Sequence, residues 1–517
     1  METLKVINVI NFIRGCEPRL EMDLITPVKK QIELIKKTGL KCTFLFQYDA
    51  LLSDDMTSLF SDINGEKTEI GGWFEMVRQQ AEKAGIKWRG RPGFDWDHYA
   101  DVDTPMGYTL EERIKLADEF MSEFKRVFGY YPKSMGAWAI DAFTLNYMYE
   151  KYGIQAFCIC REQVGTDGYS FSGGYYSGGY YASKNNALCP AQTLNMQIDV
   201  PVFRMLGSDV VKQYYMGLDE NYNPATLQGV ATLEPVGNGK IGGSNTAWVD
   251  WFLKSNYEIA LNFAYAQAGQ ENSFGWERMK DGLNYQFKKI SDDVKCGKYV
   301  DMTLSECGLA FKKRFPLTPA TTSTAFGSFE NDKEGTVWYE NKNYRVSYYY
   351  SNGKFLIRDI YLFDERYKER YLNSVLKSID YVYDNLPLTD GYLYSGNKIL
   401  AGLYLVKDGK EVEITDLKYS EPDRNTATVT VESSAGRFEF INTESGITVK
   451  SNDEFYLVLK AAVYPSLESV RVKTLMLKHN GYEYVVSVAS GEFIASGKAF
   501  KIKSENGVIT LNLQLNK

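Results

Sequence analysis

Along residues 1–315, apolar positions alternate between strand-like runs and helical spacing. Val6–Ile13 is a continuous apolar run of strand length, and Thr26–Thr38 follows with apolar residues at a helical period. There Thr26 is placed to cap, Pro27 takes the first helical position and Gly39 ends the helix. The pattern predicts a strand at Cys42–Tyr48, another at Glu69–Trp73 and a helix over Phe74–Ala84. A second helix opens on the capping box Thr109-Leu-Glu-Glu112. It carries Ile114, Ala117, Phe124 and Val127 on one face and stops at Gly129. Met135–Ile140 and Ala156–Cys160 read as strands flanking a helix at Leu145–Lys151. Further strands are expected at Gln197–Phe203, Ala231–Val236, Ile259–Ala266 and Tyr299–Leu304, with a helix from Glu277 to Val294. Such alternation calls for an α/β fold, a distorted barrel of (β/α)7 type, with an open doubly wound sheet as the alternative.

Around Phe315-Pro316-Leu-Thr-Pro319 the period changes. Behind it the pattern alternates residue by residue, with one helix-period exception at Asp364–Tyr383. Thr428–Val431, Arg437–Ile441, Phe455–Leu459, Val470–Leu477, Tyr484–Val488 and Val508–Leu515 pair across turn residues such as Asn480-Gly481 and predict an antiparallel β-sandwich. The expected division is a barrel at 1–315, a mixed α/β linking segment at 316–405 and a β-sandwich at 406–517.

Length agrees, since 517 residues suggest two to four domains. A chain with 44% apolar and 24% charged residues is globular, and a net charge of −7 without any Lys/Arg cluster argues against nucleic acid. The 38 Tyr and 8 Trp offer flat faces for sugar rings, although Tyr-rich sheets also bury such residues structurally. Seven cysteines without recurrent spacing suggest free thiols in a reducing compartment, hence a cytoplasmic protein. The strand-like run at Lys5–Ile13 begins too early for a signal peptide, and a secreted or periplasmic location would require a leader removed beforehand. No stretch has the apolar length needed to span a bilayer, so no membrane partner is expected.

In a β/α barrel the chemistry sits at the carboxyl ends of the strands, so polar residues directly after apolar runs are candidates. Four places qualify: Arg14 to Arg19, Glu69 to Glu75, Trp138 to Asp141 and Gln270 to Trp276. The segment Gly136-Ala-Trp138-Ala-Ile-Asp141-Ala-Phe-Thr-Leu145, with Lys151-Tyr-Gly153 turning into the next strand, resembles the nucleophile segment of retaining α-glycosidases with seven-stranded barrels, glycoside hydrolase families 38 and 57. That resemblance implies Asp141 as nucleophile; read from its own position, Asp141 is equally an N-cap for the following helix. Gln270-Glu271-Asn-Ser-Phe274-Gly-Trp276 resembles the family 57 stretch that carries the acid/base, which implies Glu271, with Glu234 and Asp250 in reserve. A retaining hydrolysis needs one ionised carboxylate to attack and one protonated carboxyl to donate.

The resembling families 38 and NodB-type polysaccharide deacetylases hold a metal through histidines. This chain has two histidines in all, His98 and His479, and Thr68-Glu69-Ile-Gly-Gly-Trp73-Phe-Glu75 carries Trp73 where the deacetylases place a ligand. The expectation is therefore a metal-independent mechanism with no cofactor. Sugar contacts are expected from Arg14, Glu17, Glu69, Trp73, Trp138 and Gln270, with Glu75 also a candidate or a helix-capping residue. The Gly/Tyr-rich loop after Arg161, with Asp167 and Tyr175, adds to them, as do Arg204, Asp209, Glu234 and Trp276. The expected function is a retaining glycosidase acting on oligosaccharide or polysaccharide, with α-linkage implied by the resemblance. The alternatives are a polysaccharide deacetylase-like enzyme and a non-catalytic carbohydrate-binding protein on a decayed barrel.

Overall fold

The computed structural model describes the chain except residues 1, 62, 64, 66, 167, 168, 172, 213–216, 225–230, 238, 516 and 517. Its N-terminal half is an α/β barrel, as the alternating pattern requires. Seven strands, β1 (Leu4–Ile13), β2 (Cys42–Phe46), β3 (Thr68–Trp73), β4 (Ser134–Ala137), β5 (Ala156–Cys160), β6 (Gln197–Met205) and β7 (Phe263–Ala268), lie parallel in the order β7-β1-β2-β3-β4-β5-β6. At the seam, Phe203 of β6 packs on Phe263 and Tyr265 of β7 with ring centroids 6.0 and 5.1 Å apart, in place of a ladder.

Alternation along each strand sorts residues into two shells. Val6, Ile10, Phe12, Leu45, Trp73, Cys158, Phe203 and Tyr265 join an inner cluster, while Ile7, Val9, Ile13, Phe44 and Phe46 belong to the larger cluster that includes the surrounding helices. Helix Leu304–Arg314, opened by the capping box of Thr303 and Glu306, adds Leu304, Cys307 and Phe311 to the inner cluster. At the opposite end, Gly269 turns the chain out of β7 at φ 108°, and a Cβ there would lie 2.0 Å from the Ile10 carbonyl oxygen. Only glycine fits this turn, which delivers Gln270 and Glu271 to the barrel's carboxyl end.

Behind the barrel, two antiparallel sheets face each other across one apolar core. Val346, Phe355, Ile357 and Leu457 come from one sheet and Val429, Phe438, Phe440 and Ile509 from the other. Tyr404 pairs with Leu356 on one side and Val458 on the other, so the first ladder runs straight across residue 405.

Several local expectations are corrected. Asp364–Tyr383 holds a single short 3-10 turn, Arg370–Leu372, instead of a helix. Its apolar residues Tyr371, Leu376, Tyr381 and Tyr383 join the barrel's inner cluster, and Asp364 and Asp384 accept from the backbone N–H groups of Arg366 and Arg370 at 3.0 and 2.7 Å. Tertiary burial and side-chain acceptors here replace intrahelical bonds. Around Ala231–Val236 the described residues show one isolated bridge, between Ser208 and Thr232, in place of a strand. Helices Thr246–Glu258 and Leu304–Arg314, and the hairpin Gly179–Ser183 with Asn186–Pro190 attached to β6, went unpredicted. Among the described residues, no helix is long and apolar enough to cross a membrane.

Candidate functional site

The carboxyl ends of β1, β2, β3, β4 and β7 converge on one carboxylate, Glu75. Two residues beyond β3, it is 1% exposed and accepts N–H groups from four neighbours. The Trp73 and Gln47 side chains donate to Oε2 at 2.8 and 3.1 Å, and Trp138 Nε1 donates to Oε1 at 2.9 Å. Arg14 Nη2 completes the set at 3.2 to 3.3 Å. A second nitrogen of the same guanidinium binds Glu271, with Nε 3.1 Å from Oε2. Two buried carboxylates thus share one cation. Burial pushes the Glu75 pKa above its ordinary value and Glu271 adds to that, while Arg14 and the Trp73 indole pull it down.

Arg14 is itself held tightly. Its backbone N–H donates to Asn272 Oδ1, and Asn272 Nδ2 returns a bond to the Arg14 carbonyl, both at 2.9 Å. Trp96 covers the guanidinium at 4.0 Å and also lies under Arg19 at 4.7 Å. Arg19 in turn grips Glu17 through Nε and Nη2 at 2.8 and 2.7 Å. Glu271 Oε1 accepts from the Ser273 hydroxyl, and its backbone N–H donates to Gln270 Oε1 at 2.9 Å. Gln270 Nε2 reaches Glu234 Oε1 at 3.3 Å. Of the residues expected from sequence, Arg14, Glu17, Trp73, Trp138, Glu234, Gln270 and Glu271 therefore form one connected network.

Asp141 stands apart from it. The position expected to hold a nucleophile holds a helix cap: Oδ1 accepts from the Thr144 N–H at 2.9 Å and Oδ2 from the Thr144 hydroxyl at 2.6 Å, opening helix Ala142–Tyr152. Arg113 Nη1 lies 3.1 Å from Oδ1, and the carboxylate is fully buried. Both Asp141 oxygens are thus engaged by the helix start and by Arg113. Asp141→Asn keeps the cap but removes the ionic partner of a buried guanidinium that already donates to four carbonyls, those of Pro105, Tyr108, Met106 and Tyr371. The expected loss is about 1–3 kcal/mol in urea unfolding.

Other candidates also lie outside the Arg14 network. Glu69 lies near the amino end of β3, where Oε2 accepts from Thr43 Oγ1 at 3.3 Å and from the Ser305 N–H at 3.0 Å, at the opening of helix Leu304–Arg314. Arg204 donates to the carbonyls of Cys160 and Tyr175 at 3.0 and 2.6 Å. Arg161 is buried, 3.2 Å from Ser177 Oγ and over the Tyr176 ring. Tyr175 offers no plate to solvent; it is fully buried and bonded to Pro319 O and Thr321 Oγ1. Trp276 starts helix Trp276–Lys295 and packs half-buried on the outer core. Asp209 follows β6 and accepts from the backbone of Val211 and Lys212, and Asp250 binds Tyr285 at 2.9 Å on the outside of the barrel. Asp167 lies outside the described residues. Gln47 and Trp96 were missed. Gln47 directly follows an apolar strand, the same signal that singled out Arg14; Trp96 sits in a loop with no periodic cue.

A divalent cation does not fit this arrangement. The central carboxylate is ringed by N–H donors and a guanidinium, and among the described residues no group of three or more His, Cys, Asp or Glu side chains converges to hold a metal.

No protein-family model matches the sequence, and no curated protein matches it. Among solved structures, the chain is similar to one described as a "putative glycoside hydrolase/deacetylase" from Parabacteroides distasonis, at 15% identity and a TM-score of 0.55, covering 73% of this chain and 89% of that one. It also matches a "putative polysaccharide deacetylase" from Mycobacterium smegmatis at 10% identity and a TM-score of 0.39, covering 61% and 93%. The first likeness shows a shared fold; the second is too remote to carry any argument.

Proposed function

We propose that the chain is a carbohydrate-acting hydrolase working at the carboxyl end of its barrel, with Glu75 and Glu271 in the roles of the carboxylate pair. One observation carries this reading: two buried carboxylates meet on a single guanidinium at the end of the barrel where such folds do their chemistry. Glu75, whose proton affinity burial raises, is suited to donate to the leaving oxygen. Glu271, ion-paired to Arg14, is suited to attack the anomeric carbon, which gives retention, and the resemblance to families 38 and 57 favours an α-linkage. The rim residues Glu17, Arg19 and Glu234 would meet sugar hydroxyls. No step calls for a metal.

A second reading is binding without turnover. It is favoured by one feature, that both oxygens of Glu75 and of Glu271 already accept protein donors. Hydrolysis of a panel of activated α- and β-glycosides in EDTA separates the two. Turnover by the wild type that falls to background in Glu271→Gln and persists in Asp141→Asn supports the catalytic reading. Loss in Asp141→Asn with retention in Glu271→Gln would return the nucleophile to Asp141. A panel left intact by a folded protein that still binds oligosaccharide favours the second reading.

A further inference from the structure

Apart from the Arg14 cluster, a cavity of about 450 Å³ lies where the barrel meets the sandwich. Asp209, Tyr222 and Trp248 line it from the barrel half, and Phe329, Glu334 and Tyr349 from the sandwich. Its size falls within the range of small-molecule sites. Tyr222, Phe329 and Tyr349 supply flat apolar walls of the kind that pack against the C–H faces of a sugar, with the fully buried Trp248 behind them.

Polar groups on the cavity are mostly acceptors. Asp209 is 4% exposed; its Oδ1 takes the N–H groups of Val211 and Lys212 at 2.9 and 3.0 Å. Glu334, also buried, accepts from Tyr349 Oη and from Ser328 Oγ at 2.9 Å. With Glu330 at the edge, three carboxylates face one ammonium, Lys212, which pairs with Glu330 at 2.5 Å and stands 3.6 Å from Glu334. Carboxylates accept pairs of hydroxyls well and repel other carboxylates or sulfates.

Tyr222 holds a conformation that an aromatic residue seldom adopts, φ 58°. Its turn is fastened by Asp219 Oδ1, which accepts from Asn221 and Asn223 at 2.8 Å each. The same turn is tied to the sandwich, where the Lys398 N–H donates to Asn221 O at 2.7 Å and the Asn397 N–H to Asn223 Oδ1 at 3.1 Å. Both halves of the chain therefore hold a strained tyrosine at the cavity wall.

We infer that this cavity is a binding subsite for an uncharged sugar ring, stacked among Tyr222, Phe329 and Tyr349 and hydrogen-bonded through its hydroxyls to Asp209 and Glu334. The inference rests on reading the chain as carbohydrate-acting, but not on turnover at Glu75 and Glu271. It is tested by titration calorimetry with neutral hexasaccharides (malto-, cello-, manno- and xylohexaose) and with a hexagalacturonate of the same length. At least one neutral probe is expected to bind. Tyr222→Gly and Phe329→Ala should each weaken it about tenfold or more. Glycine accepts φ 58° freely, so Tyr222→Gly is expected to melt no lower than the wild type, which separates lost contact from lost fold. Hexagalacturonate should bind at least tenfold more weakly than the best neutral probe. Silence from every neutral probe, wild-type affinity in both cavity variants, or equal binding of the uronate would overturn the subsite. Binding here without any hydrolysis would leave the subsite standing and overturn the catalytic reading instead.

Discussion

Arg14→Met is expected to abolish turnover and to lower the free energy of unfolding by about 3–5 kcal/mol, the cost of leaving buried charges uncompensated. Both Glu75 and Glu271 lose the ion-pair partner they share, and neither is exposed enough for water to replace it. Arg14→Lys should recover only part of the loss, because a single ammonium lacks the planar guanidinium that sets Nε on Glu271 and Nη2 on Glu75 at fixed positions. Urea unfolding at pH 7 and at pH 5 checks the cause. Burial raises the proton affinity of Glu75, and its carboxyl once protonated needs no cation, so the penalty should shrink at pH 5. A pH-independent penalty would mean that lost packing against Trp96, rather than lost charge, accounts for the effect.

Raising the pH from 6 to 9 is expected to destabilise the wild type by a few kcal/mol. Three buried carboxyls outside the candidate site hold their protons to unusually high pH. Burial and the nearby Asp141 push Glu369 up to about 8, and burial pushes Glu340 and Asp359 up to about 7. Each folded pKa lies above the ordinary carboxylate value, so between those values the native state binds more protons than the unfolded chain. Their contribution is complete in acid and is lost as pH rises through 7 to 8. Glu369 Oε1 and Oε2 accept the Ala142 and Ala187 N–H groups at 2.8 and 2.9 Å, so ionisation there is partly solvated by backbone and the fold survives it. Glu369→Gln, which imitates the protonated acid, should flatten the profile above pH 7. A wild type equally stable at pH 6 and pH 9 would refute the account.

Much of this architecture was legible locally. The capping box at Thr109 and Glu112 and the left-handed glycines Gly39, Gly129 and Gly153 mark their helix ends in sequence and in structure alike, because capping is decided within a few residues. Most strand starts are local as well, since period and apolar content suffice, but the strand expected from Ile259 opens at Phe263 and Ala231–Val236 forms none. Arg14, Trp73, Trp138 and Glu271 could be singled out because a β/α barrel gathers whatever follows its strands.

What joins those residues was not legible. Arg14 and Glu271 are 257 positions apart and meet only when β7 closes against β1, so Glu75 becomes the centre of the site through ring closure and not through any motif. The two readings of Asp141, nucleophile or cap, were both open on sequence grounds. Arg113 from the preceding helix and the helix opening at Ala142 commit its oxygens to structure. Likewise the helix-period pattern of Asp364–Tyr383 is overridden because its apolar residues are buried in the barrel's inner cluster, whose contacts come from the other half of the chain. Local order was set by interactions spanning a few residues, and the candidate site by contacts that exist only once the chain has closed on itself.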